Sequence, residues 1–160
     1  MAGTEMPQLQ RANDADLETL RILMQEFYEY EKRPFTVEKV NALAGLLRDP
    51  SLGWAAVIRD DGAAAGYDAA AGYIVLTYGY SLEFHGRDLL VDDLYLRPAY
   101  RGRGWGTWVL SEVEKIARQE SLHAVHLEVA HWNIGARRFY DRAGFQAHDG
   151  DFMSKRLRNG

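Results

Sequence analysis

The sequence predicts an α+β fold in which a central sheet is sandwiched by helices. Three observations point there. Two segments with helical apolar spacing open the chain, and aromatic and β-branched strand patterns fill the middle. A glycine-rich basic turn, Arg101-Gly102-Arg103-Gly104-Trp105-Gly106-Thr107, then runs straight into an amphipathic helix.

The expected order begins strand, helix, helix. Asn13 with Asp16 three residues on reads as a helix start, and Leu17, Leu20, Leu23, Met24 and Phe27 recur at helical spacing, giving a helix over Asp14 to Tyr30. Thr36 can cap a second helix carrying Val37, Val40, Leu43, Leu46 and Leu47, which Asp49-Pro50 ends. Trp54 to Arg59 and Ala71 to Leu82 read as an antiparallel pair joined by Asp60-Asp61-Gly62 through Ala70, and a turn near His85-Gly86-Arg87 leads into a third strand, Leu89 to Arg97. The helix after the glycine turn should bury Trp108, Val109, Val113, Ile116 and Ala117. His123 to Ala130 alternates as a strand, and Asn133 to Ala143 is a helix stopped by Gly144. Phe145 to Ala147 and Phe152 to Leu157 read as two closing strands.

The 160 residues suit a single domain, 1–160, with no linker or repeat. A net charge of -4 and a pI near 5.7 disfavour a general nucleic-acid role and favour a cationic ligand. The absence of cysteine excludes thiol catalysis, disulfides and cysteine-bound metal. The five histidines show no H-x-x-x-H pair, so no metal is expected. No stretch approaches the roughly 20 apolar residues of a membrane span, and the start lacks a signal-peptide pattern, so the expectation is a cytoplasmic protein without membrane partners.

Gly102, Gly104 and Gly106 alternate with Arg103 and Trp105, and residues without Cβ let successive N–H groups turn toward one anion. The following helix points its positive dipole end at the same spot, and Arg101 and Arg103 add full charges. The turn therefore reads as a pyrophosphate cradle. It lacks the Gly-Lys-Ser/Thr ending of a nucleoside triphosphatase loop, and its G-x-G-x-G spacing differs from the dinucleotide fingerprint. Further on, Asn133, Ala136, Arg137 and Tyr140 fall at i, i+3, i+4 and i+7 on one helical face, where a cap at one end and a phenol at the other lie about 10 Å apart. Asn133 also fits a simple cap, and Tyr140 a core aromatic.

Together, D-L-Y-L-R-P-A-Y-R-G-R-G-W-G-T and L-E-V-A-H-W-N-I-G-A-R-R-F-Y-D-R-A-G-F resemble the Gcn5-related N-acetyltransferases over essentially the full chain. The resemblance implies a mixed central sheet whose strands bearing Leu94 to Leu96 and Leu127 to Val129 splay apart. It implies acetyl-coenzyme A (acetyl-CoA), with its pantetheine arm on Leu94, Tyr95 and Leu96 and its pyrophosphate on Arg101, Gly102, Arg103, Gly104, Trp105, Gly106 and Thr107. Asn133 would contact the arm, Ala136 and Arg137 would flank it, and Tyr140 would be the general acid. A phenol suits that role, since its reference pKa of about 10 lies close to the roughly 8.5 of a leaving thiol.

An attacking alkylamine, with pKa about 10.4, must first lose a proton, and Asp92 and Asp93 before the cofactor strand are candidates to take it. Either acid, or a water between, could serve, and paired acids also fit a solvated bend. Within the superfamily, E-F-Y-E-Y-E, G-Y-I-V-L-T-Y-G-Y-S and L-V-D-D-L-Y-L-R-P joined to V-A-H-W-N look most like the diamine and polyamine acetyltransferases. That likeness implies Tyr30 and Glu31 as acceptor contacts, Asp92 at the reactive amine, with Asp93 adding to the negative mouth, and a homodimer. Asp92 stands where that subfamily commonly has Glu, one methylene shorter. Two other readings stay open at this stage: a protein or peptide amine as acceptor, and a non-catalytic acetyl-CoA binding module.

Overall fold

The computed structural model describes residues 6–60 and 67–158. The chain forms two compact units, Met1–Glu128 and Val129–Gly160.

The first unit contains β1 (Pro7–Arg11), α1 (Leu17–Tyr30), α2 (Val37–Arg48), β2 (Gly53–Asp60), β3 (Ala70–Ser81), β4 (Gly86–Leu96), α3 (Trp105–Gln119) and β5 (Val125–Leu127). The strands form one sheet in the order β1-β2-β3-β4-β5, antiparallel except for the parallel β4–β5 pair, so the sheet is mixed as expected. The capping box at Asn13 is formed: its Oδ1 accepts from Ala15 N at 2.9 Å, and Asp16 Oδ2 accepts from Asn13 N at 3.0 Å. Of the segment expected to join β2 and β3, residues 61–66 lie outside the described residues.

Alternation along β2 sorts the helices onto opposite faces. Ala55 and Val57 pack with Leu20, Leu23, Met24 and Tyr28 of α1 and Leu43 and Leu46 of α2. Trp54, Ala56 and Ile58 pack with Val109, Val113 and Ala117 of α3. Trp105, read from sequence as part of the cradle, is only 3% exposed and joins this second core, its ring tilted against Tyr100 with centroids 5.0 Å apart. Trp108 and Ile116 are only partly buried against it, whereas Leu110 is buried.

One irregularity positions the site. In the β3–β4 ladder Val75 pairs with Asp93 and Leu76 with Val91, so Asp92 is an extra residue, a β-bulge. Alternation is reset across it: Leu89 and Val91 face the α3 core, whereas Tyr95, which unbroken alternation would put on the same side, faces α1 and α2. The β4–β5 ladder stops at Val91↔Leu127, the residue before the bulge, while β4 continues to Leu96 against β3. The strand expected over His123 to Ala130 is accordingly only three residues long. Gly72, opposite Leu96, has no room for a side chain, since a Cβ there would sit 1.9 Å from the Tyr95 carbonyl oxygen.

The second unit contains α4 (Ile134–Arg142). Gly144 follows it with φ of +94°, the left-handed stop expected from sequence. The two closing strands do not form among the described residues. Phe152, Met153 and Leu157 are 86%, 88% and 87% exposed: apolar residues alone do not make a strand, which also needs a ladder partner.

Candidate active site

The bulge separates the two acids that sequence left equivalent. Asp92 is exposed, whereas Asp93 is 5% exposed and points into the α1 side of the sheet. The Tyr73 hydroxyl donates to Asp93 Oδ2 at 2.9 Å. Burial pushes the Asp93 carboxyl up to about 7, and the Asp92 and Glu31 charges act in the same direction against the Tyr73 bond and Arg33. Partial withdrawal from water also raises Asp92. Burial beside Asp93 holds the Tyr28 phenol up at about 12 and the Tyr73 phenol well above its ordinary value, so both are neutral donors.

The end of α1 supplies the rest of this mouth. Lys32 adopts a left-handed conformation, φ of +54°, and its N–H and that of Arg33 bond back to the carbonyls of Glu29 and Tyr28 at 3.1 and 2.9 Å. This turn folds Arg33 over the Tyr28 ring, 4.2 Å from its centroid, with Nε 2.6 Å from Glu31 Oε2 and Nη2 3.9 Å from Asp93 Oδ1. Glu31 thus reaches the acid pair through Arg33. Tyr30 lies elsewhere: its ring packs under Arg101, 4.9 Å from the guanidinium carbon. The aromatic faces beside Asp93 are Tyr28 and Tyr73.

The glycine turn has the geometry of an anion cradle. Gly102 and Gly104 have φ of +73° and +81°, and the space a Cβ would take beside each is open. The first intrahelical bond of α3 runs from Trp108 N to Gly104 O at 3.0 Å, so the N–H groups of Trp105, Gly106 and Thr107 are not used by the helix. Arg101 turns away from them, its Nε donating to Leu96 O at 2.8 Å. Arg103 lies over Tyr100, 5.6 Å from its ring centre. At the other edge, among the described residues of this unit, Leu94, Tyr95 and Leu96 make ladder pairs with β3 alone; apart from the Leu96 carbonyl held by Arg101, this leaves the opposite backbone edge for an extended ligand arm. A strut braces that edge: Arg97 makes a two-pronged bond to Glu26 at 2.7 and 3.0 Å, and Tyr95 donates to the same carboxylate at 3.2 Å.

In the second unit, Asn133 Oδ1 accepts from Ala136 N at 3.1 Å and caps α4. Asn133, Ala136, Arg137 and Tyr140 are all half-buried while most of their helix neighbours are exposed, so the i, i+3, i+4, i+7 face is real. Arg137 Nη1 lies 3.4 Å from His131 Nδ1, and the Tyr140 ring packs against Phe139 and Phe145 with centroids 5.1 and 5.8 Å apart.

Comparison with known proteins decides the family. The model of the acetyltransferase (GNAT) family matches residues 17–145. The chain belongs to this family. This GNAT protein is 27% identical over 146 residues to thialysine N-epsilon-acetyltransferase of Bos taurus, covering 86% of this chain and 83% of the relative. It is 29% identical over 76 residues to L-ornithine N5-acetyltransferase NATA1 of Arabidopsis thaliana, covering 48% of this chain and 33% of that one. Among solved structures, an integron cassette protein from the mobile metagenome of Cole Harbour Salt Marsh superimposes with a TM-score of 0.78 at 30% identity, over 96% of this chain and 92% of the other. An aminoglycoside N-acetyltransferase in complex with CoA shares the fold, with a TM-score of 0.78 over 99% of both chains at 12% identity. The GNAT protein is therefore an N-acetyltransferase using acetyl-CoA, and the open α3 amides and the β4 edge beyond Val91 fit that group. No helix among the described residues is long and apolar enough to cross a membrane.

Sequence reasoning missed Tyr28, Tyr73, Arg33 and Arg97. Tyr28 on α1 and Glu31 at its C-cap are three apart, a spacing that could have signalled Tyr28. Tyr73 meets Asp93 diagonally across the β3–β4 ladder, a meeting set by the bulged register.

Proposed function

We propose that the protein acetylates a primary amine of a small cationic acceptor, a polyamine, diamine or lysine analogue, by direct attack in a ternary complex. The observation that carries this reading is Asp93: a buried carboxyl bonded to the Tyr73 hydroxyl, pushed up to about 7 by burial, near Asp92, Glu31 and the Tyr28 phenol. A base poised near neutral pH suits removal of an ammonium proton. The names of the bovine and Arabidopsis relatives, which refer to thialysine and ornithine, support a small amine.

When bound, acetyl-CoA supplies an acetyl group on a thioester. The N–H groups of Trp105, Gly106 and Thr107, with Gly102 and Gly104 opening the turn, would hold its diphosphate, and Leu94, Tyr95 and Leu96 would offer backbone groups to its arm. The family likeness implies Asn133, Ala136 and Arg137 as further contacts of the arm. Asp92 and Glu31 attract the acceptor's cationic groups, and Asp93 takes the proton from its amine. By the same likeness Tyr140 would be the acid that protonates the leaving thiolate. With no cysteine in the chain, no acetylated thiol intervenes. The same family likeness implies a homodimer, which sedimentation equilibrium measures.

The test is acetyl transfer to spermidine, thialysine, lysine and a lysine-containing peptide, followed by mass spectrometry. Expected is a monoacetylated small amine. Transfer to the peptide alone would replace this reading with a protein acetyltransferase.

A further inference from the structure

Arg33 is a cation set among carboxylates, an arrangement that a site built only to collect positive charge would not contain. Its position is built rather than incidental. The left-handed Lys32 turn, unusual for a residue other than glycine, returns the chain over Tyr28, and the guanidinium lies 4.2 Å from that ring and 5.5 Å from Phe27. Nε lies 2.6 Å from Glu31 Oε2 as an ion pair. Nη2 stands 3.9 Å from Asp93 Oδ1, beyond hydrogen-bond length, and the side chain is 44% exposed. The terminal amino groups thus face the mouth with donors to offer.

We propose that Arg33 is a specificity-determining residue that reads the carboxylate of an amino-acid acceptor, so that the site takes α-amino acids with a second amine in preference to polyamines. The proposal rests on the small-amine reading above and narrows it. An acceptor carboxylate would meet Arg33 while Asp92 and Asp93 meet its amines. Geometry supports it, because a planar guanidinium held over the Tyr28 ring can turn its terminal fork to a carboxylate.

Lysine and cadaverine differ only by that carboxylate, as do ornithine and putrescine. The test is kcat/KM for both pairs, and for lysinamide, with the wild-type protein, Arg33→Leu and Arg33→Lys. Expected is a wild-type preference for the amino acid of about tenfold or more, the scale of a lost bond to a charged group. Lysinamide should behave like cadaverine. Arg33→Leu should erase or reverse the preference through KM, and Arg33→Lys should keep part of it. An unchanged lysine-to-cadaverine ratio in Arg33→Leu would overturn the proposal. Equal use of lysine, lysinamide and cadaverine by the wild-type protein would do so without any variant, while leaving the small-amine reading intact. Failure of the wild-type protein to acetylate any of these amines would sink that reading, and this one with it.

Discussion

Replacing Asp93 by Asn should make the protein more stable and nearly inactive. The folded pKa of about 7 lies some three units above the unfolded carboxyl. Between about pH 4 and pH 7 the folded chain therefore binds a proton that the unfolded chain has released, so this group's contribution is most favourable below pH 4 and declines as pH rises to 7. At 1.36 kcal/mol per unit, the ionised carboxylate costs on the order of 4 kcal/mol at pH 8. Asn has the same shape, carries no charge and can still accept from the Tyr73 hydroxyl, so most of that cost should disappear. Urea denaturation of both proteins at pH 4, 6 and 8 reads the effect. The variant's advantage should grow from near zero at pH 4 to a few kcal/mol at pH 8. Acetyl transfer at pH 8 should meanwhile fall by about 10²-fold or more, the scale of a lost general base. A stability difference independent of pH, or a less stable variant at pH 8, would refute the reasoning about Asp93.

Tyr140→Phe should lower kcat by about 10²-fold when chemistry is rate-limiting, with CoA affinity by calorimetry unchanged; full turnover would remove the phenol from the acid role. Gly104→Ala forces a side chain into φ of +81° although the space is open, so it should cost about 1 kcal/mol in thermal denaturation and weaken CoA binding. Arg97→Ala breaks the two-pronged bond to Glu26 and should destabilise by about 2 kcal/mol at pH 7. Because that bond lowers the Glu26 pKa, the deficit should shrink as the pH is taken down through the carboxylate range, and a constant deficit would place the effect elsewhere.

Much of the fold could be read in the chain because its signals are local. Apolar spacing in Leu17 to Phe27 and Val37 to Leu47, the Asn13 cap and the Gly144 stop each lie within a few residues, and each appears in the structure. The glycine turn was legible for the same reason. What escaped depends on partners distant in sequence. A bulge at Asp92 is a property of two strands in register, so the assumption of a regular strand could not tell which acid is buried. Tyr30 and Tyr28 are both aromatic residues on α1, and only packing shows that Tyr28 meets Asp93's surroundings while Tyr30 meets Arg101. Phe152 to Leu157 has apolar residues without a ladder, because the composition of one segment does not supply its neighbour.

The most direct measurement of the central claim is the rate of acetyl transfer from acetyl-CoA to thialysine, lysine and spermidine against a lysine-containing peptide, with products identified by mass spectrometry between pH 6 and 9. Expected is monoacetylation of a small amine, with kcat/KM climbing through pH 7 in the wild-type protein and losing that inflection in Asp93→Asn. Acetylation of the peptide in preference to every small amine, or a profile without any inflection near pH 7, would contradict it.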